Sequence, residues 1–203
     1  MQLKDSEPGI QIIADVIRKI FFREPSGHDW WHIFRVWKMS KHIAREEGAD
    51  ETIVEAAALL HDMQDEKLDH VKKIDIEELL LIHKFSSHQI EHILKIISEV
   101  SFRKNQHNPH VTSIESACVQ DADRLDAIGA IGIARAFAYG GFKNQIIFDP
   151  EKPESTSVQH FYDKLLLIKD HLKTATGRAY AEKRHEFLLT FLQQFRSEWN
   201  LQS

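Results

Sequence analysis

The chain has 203 residues, of which 42% are hydrophobic and 28% charged, proportions that exclude the disordered, collagen-like and membrane classes and suit one well-buried domain. Its 26 Lys and Arg against 31 Asp and Glu give a formal net charge of −5, so the chain as a whole offers no field for a nucleic-acid backbone, and duplex binding is not expected. The single cysteine, Cys118, rules out an internal disulfide, and thirteen histidines direct attention to metal or proton chemistry.

Taken in chain order, Met1-Gln2-Leu3-Lys4-Asp5 lacks the apolar stretch of a signal peptide, which gives the expectation of a cytoplasmic protein. Ile10, Ile13, Val16, Ile17, Ile20 and Phe21 recur at spacings of three and four, predicting a helix over 10–22 behind Pro8. Trp31, Phe34, Val36, Trp37 and Ile43 repeat the pattern over 28–47, and Gly48 stops it. From Asp50, the run Ile53–Leu60 is short, alanine-rich and nearly all apolar, as suits a helix buried on most sides whose last turn delivers His61 and Asp62 to the interior. Further helices are predicted at about 75–84, 87–99, 113–138, 157–173 and 178–199, and no alternating run is long enough for a strand. The apolar run Ala127–Ala134 is far short of the ~18 residues a spanning helix needs, so no membrane partner is expected. The fold class is therefore all-α. It is read as a single domain over 1–203, with a core at about 10–140 and the C-terminal helices 157–199 packed onto it. The longest connections fall near 101–112 and 140–156, the second holding Gly140, Gly141, Pro150 and Pro153.

Ligand-type side chains stand in apolar company at His32, at the adjacent pair His61-Asp62, and in Asp121-Ala122-Asp123-Arg124-Leu125-Asp126, where a charge is expensive unless paired or bound to a metal. Any one such histidine is more often a hydrogen-bonded core residue than a ligand. An adjacent His-Asp closing a buried alanine-rich helix is the uncommon feature. Two imidazoles and two carboxylates suit Mn²⁺, Fe²⁺, Co²⁺, Ni²⁺ or Zn²⁺, with Mg²⁺ a further candidate. On a helix Asp121 and Asp123 lie about 200° apart, so only one faces a given metal, while Asp123 and Asp126 share a face.

The order His32, His61-Asp62, Asp123 resembles the H…HD…D signature of the HD-domain metal-dependent phosphohydrolases. Around it, Gly27-His28-Asp29-Trp30-Trp31-His32, Ala57-Ala58-Leu59-Leu60-His61-Asp62, the stretch Gln120–Gly132, Arg135–Gly141, His160–Leu166 and Arg184-His185-Glu186-Phe187 are similar to the YpgQ-type bacterial branch. The resemblance spans about residues 10–199. It implies an all-helical fold around one divalent ion, Mn²⁺ by preference, and hydrolysis of a small-molecule nucleotide: a deoxynucleoside triphosphate to its monophosphate and pyrophosphate. The family's pattern places its last ligand just before the Arg124 position, which selects Asp123 and leaves Asp126 to support it. Related enzymes carry an acidic residue one turn after the HD pair, so Asp65, and after it Glu66, is the candidate for positioning water or moving a proton. Lys67, Arg124 and Arg35 are candidate phosphate cations. His28 and Asp29, four and three residues before His32, either touch substrate or support a ligand, and Asp29 equally suits helix capping.

Two other readings stay open at the level of sequence. Some relatives bind two irons through extra histidines and act as oxygenases, for which His83 and His107 are the available positions; a non-catalytic nucleotide sensor would keep the scaffold without turnover. His88 and His92, four residues apart, lack the Glu of H-E-x-x-H and read as surface or core. Gly129 and Gly132 read as close packing rather than a phosphate loop, Cys118 as a buried small residue, and Trp30, Trp31 and Trp37 as core with one of them available to stack on a base. Phe191 and Phe195 on the last helix could serve a homodimer or the core.

Overall fold

A computed structural model describes residues 6–22, 27–64, 72–100 and 111–202, and the described residues contain helices and turns with no strand. They form two compact units, 1–122 and 123–203, and the division falls inside one helix.

In the first unit α1 spans Pro8–Phe21, α2 Trp30–Glu47, α3 Glu51–Leu60, α4 Ile76–Ile82 and α5 Ser87–Val100. Helices α2 to α5 start where the sequence supplies an acceptor for the orphan amides of a first turn, while α1 opens on Pro8 with no side-chain cap. The Asp29 carboxylate accepts from the His32 amide at 2.8 Å, Asp50 from Ile53 at 3.1 Å and Asp75 from Glu78 at 3.0 Å. Ser86 and Gln89 cap α5 reciprocally, the Gln89 side chain accepting from the Ser86 amide and the Ser86 hydroxyl from the Gln89 amide. Gly48 ends α2 at φ 72°, a left-handed turn that glycine adopts without steric cost. The centre of the unit is α3, against which α1, α2 and α5 all pack. Every residue from Ile53 to Leu60 is buried, and burial of Leu59 and Leu60 stabilises the fold by ~1.5–3 kcal/mol each. After Leu60 the winding tightens into a 3-10 turn, His61–Gln64.

The helix at the division is α6, Ile114–Asp126; the second unit continues through α7, Gly129–Phe142, α8, Gln159–Asp163, a 3-10 helix at Leu165–His171, and α9, Ala175–Trp199. Two expected helices are thus each broken. The 113–138 helix ends at Asp126 because Arg135 donates to the Asp126 carbonyl and Arg184 to the Leu125 carbonyl, basic groups satisfying the last carbonyls as a helix C-terminus favours. Gly129, at φ 76°, then restarts the chain. A Cβ on Gly132 would stand 2.3 Å from the Ala127 carbonyl oxygen, so the close packing expected there is against the preceding turn. The 157–173 helix divides after Asp163, and Leu165 and Ile168, buried three residues apart, keep an apolar stripe that suits 3-10 winding.

Phe191 lies in an aromatic cluster with Phe137 and Phe161, ring centroids 5.6–5.9 Å apart, and Phe195 packs on Phe148; both rings are engaged within the chain. Cys118 is fully buried, and burial first, the Asp121 charge second, push its thiol up to about 12. No described helix is long and apolar enough to cross a membrane.

Candidate metal centre

Two helix ends of the first unit build the site. Asp29 fixes the first turn of α2, which places His32 in the interior at 0% exposure among Trp30, Ile33 and Phe34. At the far end of α3 the 3-10 turn buries three consecutive residues, His61, Asp62 and Met63. The His61 ring donates through Nδ1 to the Ala58 carbonyl at 2.8 Å. That bond fixes the tautomer and leaves the lone pair on Nε2, the arrangement found in histidines that ligate metals.

Three imidazoles surround the Asp62 carboxylate. His28 Nδ1 stands 3.0 Å and His32 Nε2 3.5 Å from its Oδ2, and His61 Nε2 3.3 Å from its Oδ1. The rings of His28 and His61 each meet His32 edge-on at 5.4 Å. Donor atoms of His28, His32 and Asp62 all lie within 4.8 Å of one another. Burial by itself raises the Asp62 carboxyl, but His61, His28 and His32 together hold it well below the usual carboxylate range, so it is a carboxylate at neutral pH. A carboxylate this buried needs compensating charge. Imidazoles are neutral when they ligate, so a divalent cation among them would supply that charge, and a mixed nitrogen and oxygen set in a small buried space suits such an ion.

The remaining candidates are distributed as follows. Arg35 is half-buried on α2, and Asp123 half-buried in the last turn of α6. Asp126 is buried and paired with Arg135 at 2.8 Å. Arg124 is 8% exposed and gives Nη1 to the His171 carbonyl at 2.5 Å, within the second unit. Asp65, Glu66, Lys67 and His107 lie outside the described residues. His83 is half-buried at the end of α4. His88 is exposed, and His92 is within 3.1 Å of the Ser113 hydroxyl, as the surface-or-core reading has it. Trp30 and Trp37 are core and Trp31 is 45% exposed.

Sequence reasoning offered His28 as a support for a ligand without saying which, and the residue it meets is Asp62. It missed Lys73, whose Nζ donates to the Met63 carbonyl at 3.2 Å. A cavity of about 490 Å³ opens beside that bond, lined by Met63, Lys73, Ile74, Ile76 and Leu94 among others. Nothing in a run of polar residues after the HD pair points to a lysine that returns to it.

The geometry has counterparts among known proteins. The HD domain family matches residues 30–128. YpgQ of Bacillus subtilis (strain 168) is 40% identical over 201 residues, covering 97% of this chain and 95% of that protein. Its crystal structure in complex with ADP superposes with a TM-score of 0.80 at 36% identity, over 93% of this chain and 97% of that one. An HD-superfamily hydrolase from Bacillus thuringiensis gives 0.79 at 40% identity, over 94% and 96%. With these relatives matching nearly end to end and a buried His-Asp cluster at the motif, the chain belongs to the HD-domain family and is a metal-dependent hydrolase.

Proposed function

We propose that the protein is a nucleotide pyrophosphohydrolase that converts a deoxynucleoside triphosphate to the monophosphate and pyrophosphate, with one Mn²⁺ held by His32, His61, Asp62 and Asp123. The observation that carries the metal reading is the buried Asp62 carboxylate ringed by three imidazoles. YpgQ, the similar protein crystallised with ADP, supports a nucleotide as the ligand.

When bound, a divalent ion supplies Lewis-acid polarisation of a phosphoryl oxygen and a water of lowered pKa. The chain's own groups do the rest. Ala58 holds His61 in the ligating tautomer, and Asp29 holds the turn that carries His32. His28 orients Asp62 through its Nδ1. Asp65, or Glu66 in its place, takes a proton from the attacking water, whose oxygen bonds to the α-phosphorus as the α–β anhydride bond breaks and pyrophosphate leaves. Lys67, Arg124 and Arg35 offset the triphosphate charge, while Asp126 steadies the end of α6 that carries Asp123.

The test is hydrolysis of the four deoxynucleoside triphosphates with Mn²⁺, products separated by chromatography beside a chelated control. Monophosphate with pyrophosphate is the expected result. Diphosphate with phosphate, or released tripolyphosphate, overturns the bond assignment; two irons per chain with oxygen uptake and no hydrolysis overturns the reaction class.

A further inference from the structure

Glu55 is a carboxylate in the middle of the most apolar helix of the first unit, and it is 2% exposed. Three donors converge on its Oε1. Trp37 Nε1 reaches it at 2.9 Å and Lys41 Nζ at 3.0 Å, both from α2, and the Ser6 hydroxyl donates to it from the chain just before α1. Lys41, itself 5% exposed, also gives Nζ to Ser6 Oγ at 2.8 Å.

Such a pair is expensive to bury. Replacing a buried ion pair by apolar groups of similar volume is often neutral or stabilising, so its presence is weak evidence for a stability role; its best-attested use is to fix a register. A register needs fixing here. The middle turn of α3 buries Ala56, Ala57 and Ala58, small side chains that interdigitate less than the larger residues at its two ends. The metal cluster is the second tie between the same two helices, since His32 comes from α2 and His61-Asp62 from the end of α3. Trp37 and Lys41 lie beyond His32 along α2, and Glu55 lies before His61 on α3. The two ties are thus separated by ~10 Å of helix at 1.5 Å per residue. A one-turn slip of about 5.4 Å would part His32 from Asp62.

We propose that Lys41 and Glu55, with Trp37 and Ser6, are positioning residues that pin α2 against α3 in the register that sets His32 opposite His61 and Asp62. The inference rests on the metal reading above. None of the four needs to touch an ion or a substrate.

The test uses Co²⁺ titrated into the full chain, followed by its visible d–d absorption and its affinity. The control comes first: Co²⁺ binding to the wild type must be lost in His61→Ala, and if the two bind alike the metal reading fails, whatever Lys41 does. Given that control, the paired variant Lys41→Met with Glu55→Leu is expected to stay folded, to shift the Co²⁺ spectrum and to weaken Co²⁺ binding about tenfold, the scale of lost support to a ligand. An unchanged spectrum and affinity in a folded double variant overturns the proposal. Should that variant not fold, Trp37→Phe removes one donor and keeps the ring, and Glu55→Gln keeps the shape and drops the charge. Both are expected to move the spectrum in the same direction by less, and wild-type spectra in both overturn the pin.

Discussion

At the scale of single residues the site depends on which nitrogen and which oxygen are available. His61 presents Nε2 because Ala58 occupies Nδ1, and Asp62 is ionised because burial is outweighed by its imidazole neighbours. His61→Ala and His28→Ala therefore differ in kind. The first deletes a proposed ligand and is expected to abolish metal binding in a titration. The second removes only an orienting contact to Asp62 and is expected to weaken binding by about 10–100-fold while leaving one ion per chain. Equal losses in the two variants would promote His28 to a ligand. The depressed carboxyl of Asp62 also fixes the sign of a pH effect. A carboxyl lowered in the folded state contributes stability that is present above its ordinary value near 3.8 and lost only as pH falls through its folded value. Asp62 therefore stays ionised as pH falls from about 7 to about 5. Asp62→Asn is expected to weaken metal binding across that range, as calorimetry at each pH would read.

At the scale of elements, the starts of α2 to α5 were legible because a cap is a local device, and that of α1 because Pro8 stands in its first turn. Asp29, Asp50 and Asp75 all stand where a sequence rule puts them, and α3 was recognisable by its lack of any polar face but Glu55. The helix break at 127–128 was not legible, since the carbonyls it exposes are satisfied by Arg184 from α9 and by Arg135 from the next helix. A partner distant in sequence leaves no mark on periodicity. The same reason hid which ligand His28 supports and hid Lys73 on Met63, whereas His32, His61 and Asp62 were legible because motif and apolar context coincide there. Asp29→Ala is expected to cost about 1 kcal/mol in a denaturant melt as the α2 cap is lost, with a loss of metal affinity beside it because the capped amide belongs to His32. Gly132→Ala meets backbone, not a flexible side chain, and is expected to destabilise by about 1–3 kcal/mol with the HD residues untouched.

For the whole molecule, folding and metal binding are one equilibrium: an ion that binds only the folded chain stabilises it in proportion to the logarithm of its concentration. Melting temperature is thus expected to rise with added Mn²⁺ and fall back with chelator, and to stop responding in His61→Ala. The buried thiol described in α6 gives that equilibrium a clock. Cys118 is the single sulfhydryl of the chain, buried and held in its thiol form at neutral pH, so an alkylating reagent modifies it only in molecules whose helix has opened. The native chain carries, without engineering, a one-site footprint of its own breathing: the ratio of labelling rates with and without the ion reports how much of the ion's grip is transmitted to a residue it never touches.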